Sequence, residues 1–378
     1  MNVATTNDHS ISITCYDNEV PSFVEAEMDR LYGNIFSSLL EFRVYGWVAG
    51  TTSTYVVSRG GEIITLLMFK RDHGRIQVLN ETIRLEADDI QRFANFVFQR
   101  YSDVQTISFK AIETDGDDLG FPHQRFNHLE DITLRLPAST EQYLASLGKN
   151  TRRNIKRYTD RLMRTFPSCR FEVYEGSSVR EEDVRALIRF NHDRMADKNI
   201  VSVINEEETR RIIRLVKGCG LMGIMTIDGQ IAGGALSYRA GSNYFLNVLA
   251  HAPHYDDYWV GFLCCYRTIC ECIARGATEF HFLWGRYDYK FMLGAVRRDL
   301  DNVTLYRSWM HMARHADLAL QQARDGYARQ AKLWIKYGDT AMSRRARRLM
   351  QHIQRARHIA QDLYRGKRPG LIQSAHEN

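Results

Sequence analysis

The spacing of apolar and polar residues changes period several times along the chain, and each change predicts a structural element. In the first part, residues 24–46 and about 86–100 carry apolar residues at helical spacing. Between and after these helices, runs of β-prone residues separated by Gly-containing turns predict strands. We expect these strands at 54–58, 62–69, 75–80 and 106–112.

A similar order of elements returns after a polar bridge at 113–128. A strand at 131–137 and a helix capped by Ser139 lead into a second helix at 149–164. The Asp228-Gly229 pair predicts a tight hairpin. The remaining predicted elements are strands at 171–176, 221–227, 230–239, 243–251 and 279–285, and helices from about Ser178, over 205–217, and from Gly261 to about Arg275.

The repeated order and the length of 378 residues predict two related α/β domains, because a single core rarely grows so large. The fold class is mixed α/β (α+β), with sheets flanked by helices. A hydrophobic share of 44% and a charged share of 25% exclude a disordered chain. We expect an N-terminal segment at 1–20, a first domain at 21–130, a second at 131–302 and a basic helical extension at 303–378.

Most of the positive charge lies in this extension. The whole chain has a net charge of +6. Fifteen Lys or Arg residues and five acidic residues lie from Val303 onward, so the rest of the chain is slightly acidic. This distribution argues against nucleic acid as a partner of the main body. A solvated helical extension is one interpretation, and contact with an anionic membrane or polyanion is the other, made through Arg344, Arg345, Arg347, Arg348, Arg355 and Arg357.

Localisation and metal content follow from what the sequence lacks. No run approaches the roughly 20 apolar residues of a membrane span, and the first residues have neither a basic nor an apolar signal region. We expect a cytoplasmic protein, with the extension as a means of peripheral contact at the inner membrane.

Seven cysteines without a CxxC pair predict buried, reduced thiols. His251 and His254 have no third ligand at metal-site spacing, so no metal is expected.

The helix at 149–164 is strongly basic, with seven Lys or Arg residues and a single acid, Asp160. Ile155, Tyr158 and Leu162 form an apolar stripe, so one face packs on a core and another presents cations. A solvated face is one interpretation. The alternative is the wall of a cleft that binds an anionic substrate through Arg152, Arg153, Lys156 and Arg157.

Two segments have the pattern of a ligand site. Strand 243–251, a loop and a helix opening at Gly261 would present free N–H groups and a positive helix end, which suit a pyrophosphate. A second strand ends at Gly285, and polar groups at the end of a buried strand often bind ligands in α/β enzymes. An ordinary charged turn also fits this cluster, which comprises Arg286, Asp288, Tyr289 and Lys290.

Together these segments resemble the GNAT-fold acetyltransferases of the FemAB-like, cellulose-biosynthesis type. The resemblance covers residues 130–300 and extends to 20–130 as a degenerate first half, which implies tandem GNAT-like domains. It depends on a basic motif, a hairpin with a glycine-started helix at 225–276, and a Tyr-Lys pair after a glycine-terminated strand. The matching residues are Ser146, Leu147, Arg152 and Arg157 in the basic motif, and Gly285, Tyr289 and Lys290 at the strand end.

The resemblance implies acyl transfer from an acyl-CoA, such as acetyl-CoA, to an amine by direct attack. Tyr289 would protonate the leaving thiolate, and Lys290 would bind an anionic group or the carbonyl oxygen. The base would be Asp288, His251 or His192. Arg286 and His192 would join the basic helix in binding substrate. The donor would lie along Asn247, Val248, Leu249 and Ala250, with its phosphates at Tyr258, Trp259, Val260, Gly261 and Phe262.

We therefore expect an acyl-CoA-dependent N-acyltransferase that acts on a small molecule, a sugar or an envelope or polysaccharide precursor. Two alternatives stay open. The other FemAB branch implies an aminoacyl-tRNA-dependent transferase that builds peptide bridges. A non-catalytic scaffold with a basic docking tail is the third candidate.

Overall fold

The computed structural model describes residues 11–197, 200–346 and 348. The chain divides into two compact units, Met1–His315 and Ala316–Asn378, and each is described by itself. None of the described helices combines the length and the apolar character needed to cross a bilayer.

The described strands form one twelve-stranded mixed sheet in the first unit. They are β1 (Ile11–Tyr16), β2 (Thr52–Arg59), β3 (Glu62–Asp72), β4 (Arg75–Val78), β5 (Thr106–Ile112), β6 (His123–Arg135), β7 (Arg170–Glu175), β8 (Gly220–Ile227), β9 (Gln230–Ala240), β10 (Asn243–His251), β11 (Glu279–His281) and β12 (Val296–Tyr306). Their order across the sheet is β1-β2-β3-β4-β5-β12-β6-β11-β10-β9-β8-β7.

Helices cover both faces of this sheet. They are α1 (Val24–Leu31), α2 (Leu39–Val44), α3 (Ala87–Arg100), α4 (Thr140–Ser146), α5 (Lys149–Thr165), α6 (Glu181–Asp197), α7 (Glu206–Cys219), α8 (Val260–Ala274), α9 (Asp288–Met292) and α10 (Trp309–Arg314). Short 3₁₀ turns lie at Ile35–Ser37, Gly176–Ser178 and Pro253–Tyr258.

The two halves of the sheet repeat one topology on either side of β6 and β12. In each half, antiparallel strands lead to a parallel pair joined by a helix, which gives β2-β3-β4-α3-β5 and β8-β9-β10-α8-β11. The central strands β6 and β12 pair antiparallel with each other and join the halves. This arrangement confirms the predicted mixed α/β fold with two similar halves.

In each half of the sheet, helices pack on both faces. In the first half, α3 packs on one face through Ile90, Phe93 and Val97, while α1 and α2 cover the other. In the second half, α5 and α8 cover one face, and α6 and α7 cover the other. The apolar stripe of α5 is buried as predicted, since Ile155, Tyr158 and Leu162 belong to this core.

Several predicted boundaries are wrong where long-range pairing overrides local pattern. The polar bridge at 113–128 contains the start of β6, because β12 supplies its hydrogen-bond partners from His123 onward. The strand expected at 279–285 ends at His281. Residues 303–306, expected to begin the helical extension, belong to β12 instead.

The helix expected at 24–46 is divided into α1, a 3₁₀ turn and α2. Gly33 lies between the helices with φ of 48°, a left-handed conformation that glycine adopts without strain. Its carbonyl accepts a hydrogen bond from Asn243 Nδ2 over 3.0 Å. The break therefore ties the N-terminal helices to β10.

The second unit begins with helix α11 (Ala316–Tyr337), which agrees with the helical composition predicted for the extension. Arg344, Arg345 and Arg348 lie in the described part. Arg347, Arg355 and Arg357, and the first ten residues of the segment at 1–20, lie outside the described residues. Membrane contact through the extension stays a prediction.

Candidate active site

Strands β10 and β11 diverge in the second half and leave a cleft between them. They pair in parallel only over Asn243–Phe245, although β10 continues to His251. Beyond His281 the chain stays with β6, since the Phe282 N–H donates to a β6 carbonyl over 2.7 Å. No described strand pairs with the β10 edge at 246–251 on this side. Its backbone groups can therefore bind an extended ligand.

A β-bulge lies at the point of divergence. The register of β10 against β9 shifts between Leu246 and Val248, which leaves Asn247 as the extra residue. Leu246 packs on the α8 face and Val248 on the α6 face, so the bulge reverses the alternation of side chains. Asn247 itself is exposed. The bulge bends β10 away from β11 and opens the cleft.

The N-terminus of α8 lies directly after this open edge. Trp259 has φ of 59° and precedes α8, and no side chain caps the helix. A Cβ on Gly261 would lie 2.7 Å from Nδ1 of His251, so glycine permits the strand end to pack against the first turn. The free N–H groups of this turn and the helix dipole favour an anion.

The basic helix α5 packs beside this helix start. Tyr158 stacks on Trp259 with ring centroids 4.7 Å apart and planes 6° from parallel. The Arg157 guanidinium lies 5.0 Å above the Tyr158 ring. Arg161 donates to the Asp257 carbonyl over 3.2 Å. Two cations of α5 therefore lie near the turn where a donor's phosphates would bind.

Residues 149–291 match the family model described as acetyltransferase (GNAT) domain. This segment is a GNAT acyltransferase domain. It contains both walls of the cleft, the start of α8 and the whole of α5. A comparison of the sequence with curated proteins finds no match.

Several solved structures are similar to this chain at low sequence identity. FemX has a TM-score of 0.58 at 10% identity, and the match covers 80% of this chain and 99% of FemX. L-PGS from Bacillus licheniformis has a TM-score of 0.47 at 15% identity, over 78% of this chain and 93% of that one. A tandem GNAT protein from the clavulanic acid biosynthesis pathway has a TM-score of 0.39 at 11% identity, over 79% and 98% of the two chains.

Tyr289 lies on α9 in the GNAT domain and is partly buried. Its ring centroid is 6.2 Å from Phe282 and 6.3 Å from Tyr287. Burial, together with the neighbouring Cys265, raises the pKa of the Tyr289 phenol well above its usual range, and Arg194 partly opposes this. The phenol therefore remains protonated at neutral pH and can donate a proton or a hydrogen bond.

Lys290 points into the protein. Its side chain is 3% exposed, and Nζ donates to the carbonyls of Phe282 and Trp284 over 2.8 Å each. A third, longer bond of 3.4 Å reaches the Leu283 carbonyl. Burial lowers the pKa of Lys290 to about 8. All three donors are used within the loop, which conflicts with the predicted contact between Lys290 and substrate.

Arg286 is also held internally. Its Nε donates to the buried carboxylate of Glu130 over 2.8 Å, and a second guanidinium bond joins the same side chain. Arg286 thus ties the loop after β11 to β6, a role that competes with the predicted contact to substrate. Asp288, in contrast, is exposed in the first turn of α9, next to Tyr289.

The two candidate histidines lie on different elements. His251 Nε2 is 2.6 Å from Asp256 Oδ1, and its ring packs against Gly261 at the anion end of the cleft. His192 lies on α6 and contacts the Ile204 carbonyl over 2.8 Å. The structure therefore places His251 beside the helix start, and no described contact brings His192 to it.

Only some of the residues predicted to bind the donor expose side chains on one continuous surface. Asn247 and Leu249 belong to the open β10 edge with Val248 and Ala250, whose side chains are buried in the α6-side core. In the predicted phosphate loop, Val260, Gly261 and Phe262 are buried, so only their backbone can meet a ligand. The side chains of Tyr258 and Trp259 pack against α5.

The cations of α5 are exposed, and none forms an ion pair with a carboxylate in the described chain. Arg152 donates to the Ala145 carbonyl over 2.7 Å, and Arg153 to Asn150 Oδ1 over 3.3 Å. Lys156 is exposed on the same helix. Only Arg157 and Arg161 are placed at the start of α8, so the helix is a wall of the site at one end and a solvated face at the other.

Arg194 is a further candidate site residue, which the sequence patterns did not reveal. It follows Leu187 and Asn191 on the sheet-facing stripe of α6, and α6 packs on β10. Its Nε is buried without a hydrogen-bond partner among the described residues. Arg194 lies seven residues after Leu187 and three residues after Asn191, and this helical spacing predicts a side chain on the sheet-facing side of α6.

A buried charge cluster lies where β11 meets β6. His281 Nδ1 donates to Asp131 over 2.8 Å, and its ring stacks on Phe245 at 4.2 Å. Arg298 from β12 donates to the same Asp131 oxygen over 3.2 Å. Burial alone would lower the pKa of His281, but Asp131 and Glu279 outweigh it and raise that pKa. The cluster fixes the last paired position before the cleft.

The raised pKa of His281 predicts a pH-dependent stability. In the unfolded chain His281 titrates near its usual pKa of about 6.5, so the native state binds the proton more tightly. The stabilisation is complete below that value and is lost as the pH rises through the raised native pKa. Chemical denaturation of the wild type and of His281→Gln should show a difference in unfolding free energy that shrinks with rising pH. A difference independent of pH would contradict the assignment.

Four of the seven cysteines are buried as predicted, and Cys15, Cys219 and Cys270 are only partly buried. All seven cysteines are free thiols, and burial raises the pKa of Cys264 and Cys265 in α8 above the usual range. Such thiols are poor nucleophiles at neutral pH. Within residues 11–197, 200–346 and 348, no group of three potential ligands surrounds a possible metal position.

Proposed function

We propose that the GNAT domain transfers an acyl group from a CoA thioester to an amine on an acceptor that carries an anionic group. The observation that supports this most is the continuity of the open β10 edge with the uncapped start of α8. An extended pantetheine arm can bind strand backbone, while the pyrophosphate meets helix N–H groups. Arg157 and Arg161 lie beside that helix start and add positive charge.

The proposed reaction is direct attack. The acceptor nitrogen attacks the thioester carbonyl carbon, the C–N bond forms, and the C–S bond breaks. Tyr289 protonates the departing sulfur, and a base takes the proton from the amine. We favour Asp288 as the base, because it is exposed beside Tyr289, whereas His251 packs at the phosphate end.

Arg194 supports an acceptor with an anionic group. Its buried Nε has no described partner, and burying an unpaired guanidinium nitrogen is costly. It acts electrostatically on the Tyr289 phenol, which places positive charge near the proposed acid. A carboxylate or phosphate on the acceptor would satisfy Arg194 and orient the amine.

Aminoacyl-tRNA is the second candidate donor. The exposed cations of α5 lack carboxylate partners in the described chain, which suits a nucleic acid backbone better than a surface of paired charges does. The two donors predict different behaviour in salt. Binding of tRNA should weaken steeply as ionic strength rises, whereas binding of CoA should depend on it much less.

Titration calorimetry with acetyl-CoA, longer acyl-CoAs and charged tRNA tests the proposal. We expect saturable binding of CoA esters and turnover with an anionic amine. No heat and no thermal stabilisation with any CoA ester would refute the proposal, and binding of charged tRNA alone would establish the second candidate.

Substitution of Tyr289 tests the acid. We expect Tyr289→Phe to lower kcat by roughly 100-fold, the scale of a lost general acid, with the donor Kd unchanged. Tyr287→Phe is the matched control, because Tyr287 is 57% exposed on the same loop and should retain full activity. Equal activity of the two variants would exclude Tyr289 as the acid.

A further inference from the structure

The cleft between β10 and β11 depends on how the chain leaves β11, and that geometry is unusual. Leu283 has φ of 56°, in the left-handed region that a leucine rarely occupies. It is buried, at 8% exposure, so its side chain is fixed in the core. A non-glycine residue in this conformation stores strain and persists only where its surroundings hold it.

The left-handed turn presents successive carbonyls to one side chain. Phe282, Leu283 and Trp284 all direct their carbonyls to Lys290 Nζ. In a continued sheet, backbone groups of this segment would pair with the β10 edge. Here the Lys290 ammonium donates to these carbonyls, and the Leu283 carbonyl also accepts from the Ile132 N–H of β6 over 3.2 Å.

We propose that Lys290 is a positioning residue that holds the strained Phe282–Trp284 turn away from β10 and so keeps the donor cleft open. Its role in donor binding rests on the proposed function, but its role in holding the turn does not. This assignment replaces the contact with substrate that the sequence suggested.

The charge of Lys290 suits this role. The ammonium provides three donors, which match the three carbonyls, and no carboxylate is hydrogen-bonded to it in the described chain. At pH 7 the amine is protonated, since its pKa is about 8. A methionine of similar length would fill the space and leave all three carbonyls without this donor.

Hydrogen exchange at pH 7, without ligand, tests the turn directly. In Lys290→Met we expect the amides of Phe282 and Ile132, which form the backbone bonds between the turn and β6, to exchange at least about tenfold faster. Amides of the β8–β9 hairpin should keep their wild-type rates. Lys332→Met, at an exposed lysine of α11, is the matched control and should change neither set.

Titration calorimetry with CoA then tests the consequence for the donor. A positioning role predicts a Kd at least about tenfold higher in Lys290→Met, whereas direct contact with the reacting carbonyl predicts lost kcat with an unchanged Kd. Lys290→Gln, which keeps two of the donors on a shorter side chain, should lie between wild type and Lys290→Met, and it replaces the methionine variant if that protein does not fold.

Unchanged exchange at Phe282 and Ile132 would overturn the proposal. If exchange accelerates but the wild type binds no CoA ester, the proposed function fails while the positioning role stands. If the wild type binds CoA and Lys290→Met binds it equally well, the link between the turn and the donor cleft is refuted.

Discussion

Gly261→Asp should weaken donor binding by at least about 100-fold while the protein remains folded. The added carboxylate would lie in the first turn of α8, where the donor phosphates are proposed to bind. Two like charges about 4 Å apart near a protein surface repel by about 4 kcal/mol, so we expect the Kd for CoA to rise by at least about 100-fold. A carboxylate near a helix N-terminus stabilises the helix, which offsets part of the crowding against His251. Titration calorimetry and thermal unfolding measure the two effects.

Two further variants separate charge from crowding. Gly261→Ala adds the same Cβ without charge and should weaken binding much less than the aspartate. Gly148→Asp places a carboxylate at the start of α5, where the nearest atom to a new Cβ is 4.0 Å away, and should leave the CoA Kd close to wild type. Wild-type affinity in Gly261→Asp would show that the donor phosphates bind elsewhere.

Of all these variants, Asp131→Asn should lower the free energy of unfolding the most. Its carboxylate oxygen accepts from His281 over 2.8 Å and from Arg298 over 3.2 Å, at the meeting point of three central strands. Removing one member of a buried ionic cluster leaves the others without compensation and costs about 3–5 kcal/mol. Burial would raise the pKa of Asp131, but His281 and Arg298 outweigh it and lower that pKa. Denaturant unfolding measures the loss.

Asp72→Asn is the control for this experiment. Asp72, the last residue of β3, has an 84% exposed side chain, and its substitution should change the unfolding free energy by no more than about 0.5 kcal/mol. A loss below about 1 kcal/mol in Asp131→Asn would show that the cluster contributes specificity of pairing rather than stability.

The local spacing of apolar residues predicted the helices and strands that bury a single apolar face. The strands at 106–112 and 243–251 have the predicted bounds, and α3, α5 and α8 begin within one residue of the predicted positions. In each of these segments the apolar period matches the buried face. The β8–β9 hairpin at Asp228-Gly229 is likewise specified by its turn residues.

The start of β6 has no such local pattern. Its first residues, from His123, are mostly polar and only partly buried, so they carry no strand pattern. They form a strand because β12, about 170 residues later in the chain, supplies the hydrogen-bond partners. A strand whose partners are distant in sequence is invisible to a local window.

Some residues of the candidate site were predicted from the sequence, and others were placed only by the structure. Gly261, Tyr289 and the basic helix were identified from the sequence, and the structure brings the helix and Gly261 together at the start of α8. The resemblance to GNAT acetyltransferases implied that Lys290 would meet substrate. The left-handed turn at Leu283 buries it instead, and nothing in local composition signals that turn.

By itself, the sequence determined most of the helices and strands, although not β1 or β12, together with the repeated α/β topology, the basic stripe of α5 and the glycine in the first turn of α8. These features depend on side-chain period and backbone freedom, which neighbouring residues define. Only the tertiary structure decided which charges are paired, that Lys290 and Arg286 face inward, and that the buried Nε of Arg194 has no described hydrogen-bond partner. Burial and pairing depend on residues brought together from distant parts of the chain, and the chemistry of this cleft follows from those contacts.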